Sequence, residues 1–169
     1  MTPVLALSAP GAALIAASVA ALINVAALAG VGLREERRRR RDTYADALEA
    51  TLAYREFAYA IPRRRHNAPA EERVRISEAV REVQRDLARA ESLMRIERAT
   101  KVAAAYRQLV AKTREVVGGY MHAAWKNEPI TDDKCMNVPG GLDFSVLEQC
   151  EKDYLHAVAE DLAWYRFWR

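Results

Sequence analysis

Glycine and proline are scarce in this 169-residue chain, at seven and six, which excludes collagen-like repeats and Pro/Gly-rich low-complexity architecture. Two cysteines are too few for a disulfide-built small domain or a multi-cysteine zinc module. No alternation of apolar and polar residues runs long enough for a strand, so the expected fold is all-α. Neither a P-loop nor a G-x-G-x-x-G phosphate loop occurs, and nucleotide chemistry is not expected. Charge is missing from residues 1–33: all 26 basic and all 23 acidic side chains lie beyond Leu33.

That uncharged stretch is the first positive feature. From Gly11 to Leu33 it runs 23 residues, or about 35 Å of helix, against a hydrocarbon core of about 30 Å. Pro10 suits a helix start, because a first-turn proline gives up no needed hydrogen bond. Ala27-Leu28-Ala29 has the look of a signal-peptidase site, but no basic segment precedes the apolar run, so a transmembrane anchor is preferred to a cleaved signal. The next eight residues, Arg34 to Arg41, hold Arg34, Arg37, Arg38, Arg39, Arg40, Arg41 and two Glu. A basic cluster at the end of a span stays on the cytoplasmic side and meets anionic headgroups there. The expectation is a single-pass protein of the plasma membrane, N-terminus outside, with residues 34–169 forming a cytoplasmic helical domain. Cys135 and Cys150 would then be reduced thiols. Within the span, Ala12, Ala16, Ala20 and Asn24 recur every four residues, a stripe that would let two helices pack closely.

Beyond the arginines the pattern is helical. One helix is expected over about 34–61, ended by Pro62, with Tyr44, Leu48, Leu52, Ala58 and Ile61 as its apolar positions. Asn67 is an expected cap for a second helix over about 69–117. Its first seam, Ile76, Val80, Val83, Leu87, Ala90 and Met94, has heptad spacing of the coiled-coil kind. Continued in phase, that seam would bury Glu97 and Lys101. A second seam starts out of phase at Ile96 and runs through Ala99, Ala103, Tyr106, Val110, Thr113 and Val117, so a bend is expected near 94–99. Gly118-Gly119 would weaken or end the helix, with a short apolar turn from Tyr120 to Trp125 expected after it. Residues 127–142 read as a loop, and Ser145 with Glu148 forms a capping box for a last helix over about 145–168. Equal lengths for 34–61 and 69–96 favour an antiparallel hairpin, leaving the third segment to pair with the last.

No catalytic set emerges, and no cofactor or metal is expected. Asp153 and His156 make half of a helical metal motif, but no second copy exists. Arg63, Arg64 and Arg65, at the far end of the hairpin, and the aromatics Trp164, Phe167 and Trp168 near the C-terminus are candidate partner surfaces. Nucleic acid is not an expected partner, because no aromatics interleave the arginines of that turn. Residues 34–66 carry net +4 and residues 126–169 net −4, a division that can steer docking of one segment on another.

The run Tyr54-Arg55-Glu56-Phe57-Ala58-Tyr59-Ala60-Ile61 through Arg63-Arg64-Arg65, then Glu72-Arg73-Val74-Arg75-Ile76-Ser77, resembles small actinobacterial single-pass membrane proteins of uncharacterised function with a helical cytoplasmic domain. The resemblance implies a bacterial source and no activity. The expected role is a non-enzymatic membrane anchor or adaptor that assembles with itself or with another membrane or cytoplasmic protein. The alternative is a membrane-perturbing effector or accessory subunit of a phage or defence system.

Overall fold

The uncharged segment and the first charged helix form one element: α1 runs Ala9–Ala60 without interruption, about 78 Å at 1.5 Å per residue. Gly30 and Gly32 lie inside it and do not break it. The computed structural model describes residues 9–132 and 141–163, and within α1 the side chains of 9–17, 19, 22 and 23 fall outside the description. Three more helices follow, α2 Pro69–Ile96, α3 Thr100–Lys126 and α4 Ser145–Ala163, and no strand occurs among the described residues. The chain is all-α.

The helices alternate in direction. α1 packs chiefly on α2 and α3 on α4, with α1 against α3 joining the two pairs. One continuous core results, with Tyr44, Ala47, Tyr54 and Ala58 from α1, Leu87, Ala90 and Met94 from α2, Val102, Tyr106, Leu109 and Val117 from α3, and Tyr154 and Ala157 from α4. The first seam faces this core, Ile76, Leu87, Ala90 and Met94 being buried and Val80 and Val83 half-buried. Tyrosine is its characteristic residue. The Tyr106 and Tyr154 ring centroids lie 5.5 Å apart, and each phenol donates to a helix carbonyl, Tyr154 to Tyr44 O at 2.8 Å and Tyr106 to Ala47 O at 3.2 Å. A buried hydroxyl needs such a partner. Burial raises all three core phenols, Tyr44, Tyr106 and Tyr154, with Tyr106 pushed up to about 12.

Four expectations need correction. The helix expected over 69–117 is two helices. α2 closes on a Schellman motif in which Ala99 N–H bonds Met94 O at 2.9 Å and Arg98 N–H bonds Arg95 O at 3.1 Å. Arg98 takes the left-handed position at φ 58°, normally held by glycine. Ile96 therefore ends α2 as a 76% exposed side chain rather than opening the second seam, which is buried from Ala99 onward. Second, Gly118-Gly119 sits inside α3, and Tyr120 to Trp125 is helix rather than turn. Glycine costs a helix about 1 kcal/mol, and the half-buried Tyr120 and Met121 beside the core hold the last turns in place. Third, Leu52 is exposed, since the α1 stripe passes through Ala47, Thr51, Tyr54 and Ala58 instead. Fourth, the caps differ. α2 starts at Pro69 behind Ala68 with no side-chain cap, so Asn67 does not serve. At α4 the acceptor is Asp143, which receives the Ser145 N–H at 2.8 Å and the Ser145 hydroxyl. α4 is described as far as Ala163, so the expected continuation to 168 lies outside the described residues.

Candidate functional site

Two arginine-centred junctions close the ends of the bundle. At one end, α1 turns into α2 while α3 finishes. Arg64, 8% exposed, donates to Ile61 O at 3.0 Å, Ala124 O at 3.1 Å and Asn127 O at 2.6 Å. Its guanidinium carbon lies 4.7 Å from the Trp125 ring centroid. A cation here satisfies terminal carbonyls and complements the negative end of the α3 dipole. Arg65 Nε bonds the buried Glu72 at 2.9 Å, and Arg75 grips the same carboxylate at 2.9 and 2.8 Å. Those bonds, Arg75's above all, hold Glu72 down at about 2. Arg63 stacks 5.8 Å from the Tyr59 ring centroid. The triplet expected as a partner surface thus divides. Arg64 turns inward, because the carbonyls it satisfies would otherwise be left unpaired, and Arg63 and Arg65 remain exposed.

The opposite end lies where α1 leaves the bundle, beside the α2–α3 elbow and the last turn of α4. Arg40, 17% exposed, bonds Glu36 at 3.1 Å, Asp161 at 3.3 Å and Glu97 O at 3.1 Å, so it caps α2 as Arg64 caps α3. Tyr44 donates to the same Asp161 carboxylate at 2.7 Å. Arg39 binds Glu36 at 3.0 Å and brings Nη1 to 3.1 Å from Glu97 Oε1. The Glu97 side chain is 4% exposed, and both of its carboxylate oxygens are buried without an aligned hydrogen bond, so the Arg39 charge is what compensates it. The Arg39 and Arg40 bonds draw Glu36 below the usual carboxylate range.

The remaining arginines of the block face elsewhere. Arg34, Arg37, Arg38 and Arg41 line a groove of about 340 Å³ closed on the α4 side by Leu162. Arg38 and Arg41 share one carboxylate, Asp42, at 3.8 and 3.4 Å. Arg34 and Arg37 make no ion pair with the described residues. Of the alanine stripe, Ala20 and Asn24 are exposed on α1, whereas the side chains of Ala12 and Ala16 lie outside the described residues. Trp164, Phe167, Trp168 and Cys135 also lie outside them. Cys150 is a half-buried free thiol on α4. His156 is exposed and pairs with Glu160 at 3.3 Å. No group of three His, Cys, Asp or Glu is placed to hold a metal among the described residues.

Among the described residues, no helix is long and apolar enough to cross a membrane. The expected span over 11–33 includes positions whose side chains are outside the description. Those described before the arginine block are almost all exposed, among them Val25 at 64%, Leu28 at 73% and Val31 at 62%.

No protein-family model, curated protein or solved structure matches the chain.

Glu36, Glu97 and Asp161, which engage Arg39 and Arg40 of the arginine block in a helix clamp, are absent from the site expected from the sequence. Glu97 did carry a signal, since the first heptad seam continued in phase falls on it.

Proposed function

We propose that this chain is a non-enzymatic single-pass membrane anchor or adaptor, with residues 11–33 crossing the plasma membrane and the four-helix bundle on its inner face. The observation that carries the reading is the continuity of α1. An uncharged helical arm with exposed Val25, Leu28 and Val31 passes directly into the first bundle helix. Exposed apolar side chains in a row call for a cover, and a bilayer covers an uncharged helix of this length. The six arginines that follow set the bundle on the cytoplasmic side. Partners of the bundle would be a second copy of the chain or another membrane or cytoplasmic protein.

Topology tests the reading. A membrane-impermeant maleimide applied to intact expressing cells should leave Cys135 unlabelled and should label it after lysis. Labelling of Cys135 in intact cells would overturn the orientation.

A further inference from the structure

The arginine block is not one feature. At 100° per residue, Arg34, Arg37, Arg38 and Arg41 fall within an arc of about 100° on α1, while Arg39 and Arg40 lie outside it. The two sets have different work. Arg39 and Arg40 are engaged with Glu36, Glu97 and Asp161 at the junction, Arg40 half-buried and Arg39 from its exposed rim. The other four line the groove against Leu162, with Asp42 paired to Arg38 and Arg41 alone, a local excess of positive charge.

We infer that the groove formed by Arg34, Arg37, Arg38, Arg41 and Leu162 binds the phosphate headgroup of an anionic phospholipid. The inference rests on the membrane-anchor reading and deepens it. Position argues for this occupant. The stripe opens at Arg34, the first residue after the uncharged run ends at Leu33, which is where an inserted helix meets the phosphate layer. Chemistry argues the same way. Guanidinium forks match phosphate oxygens in pairs, and Leu162 gives the glycerol and first acyl carbons an apolar wall. A headgroup held here touches α1 and α4 together, so the lipid would brace the last described turn of the bundle against the membrane surface.

The test uses the full chain in a nonionic detergent, with lipid adducts counted by native mass spectrometry during titration with phosphatidylglycerol or phosphatidylcholine of the same acyl chains. Wild type should prefer phosphatidylglycerol. The double variant Arg34→Gln/Arg37→Gln should weaken that binding roughly thirty-fold and leave phosphatidylcholine binding unchanged. Arg34→Lys/Arg37→Lys, which keeps charge and loses the fork, should fall between. Arg81→Gln/Arg85→Gln removes the same charge from the exposed face of α2 and should behave as wild type. Equal losses in the α1 and α2 double variants, or no preference for phosphatidylglycerol in wild type, would refute the site. Flotation of wild type with pure phosphatidylcholine vesicles separates the two levels. A chain that floats without headgroup preference retains its anchor and loses only the site, whereas one that fails to float loses the anchor reading itself.

Discussion

Arg40 and Arg64 do the same job at opposite ends of the molecule. Each is a largely buried cation that satisfies carbonyls at the C-terminal end of a neighbouring helix and ties together segments distant in sequence. Replacing either with glutamine should cost about 2 kcal/mol, as expected for hydrogen bonds to a charged group, read as a lower denaturation midpoint without loss of helix content. Replacing the exposed Arg73 should cost almost nothing. Glu72 gives a pH signature. Its folded-state value of about 2 lies below the ordinary carboxylate value of 4.5, so its ion pairs contribute stability that is fully present above about 4.5. That contribution disappears as pH falls toward 2. Glu72→Gln should therefore lower the thermal midpoint at pH 7, and the gap to wild type should close as the solution is acidified. Apart from the i, i+3 spacing of Glu72 and Arg75, this pairing was not legible in the sequence. Arg63-Arg64-Arg65 reads as three equivalent charges, and only the arrival of Ala124 and Asn127 from α3 distinguishes the middle one.

At the scale of elements, sequence periodicity carried much of the fold. The change of seam between Met94 and Ala99 marks where α2 ends, and the matched lengths of the hairpin arms pair α1 with α2. What periodicity could not supply was the means of the break. The elbow uses Arg98 in a left-handed conformation where glycine is usual, so no glycine announces it. Conversely, the glycine pair that does stand in the sequence lies within a helix that packing sustains. Opposite substitutions at these two positions carry predictions of the same sign. Arg98→Gly should raise stability by up to about 1 kcal/mol by relieving the left-handed strain, less what the freer unfolded chain takes back. Gly119→Ala should also raise it, by about 1 kcal/mol, because a Cβ at that site meets nothing within 4 Å. Denaturant titrations of both variants check them, and a destabilised Gly119→Ala would mean that α3 does not continue through the glycine pair.

The whole molecule is a bundle built on one very long helix. Because α1 runs from the uncharged arm into the core, whatever holds the arm also orients the bundle, and the junction of Arg40, Glu97 and Asp161 sits where that force would enter. The arm, the arginine block and the all-helical domain were all visible in the sequence. The division of the block into two junction-binding and four groove-lining arginines was not, since it depends on α4 returning to place Asp161 and Leu162 beside α1. The central claim is that the arm lies in a bilayer. Alkaline carbonate extraction of membranes from cells expressing the full chain tests it most directly. The account predicts that the protein stays in the membrane pellet at high pH. Its release into the supernatant with peripheral proteins would contradict the account.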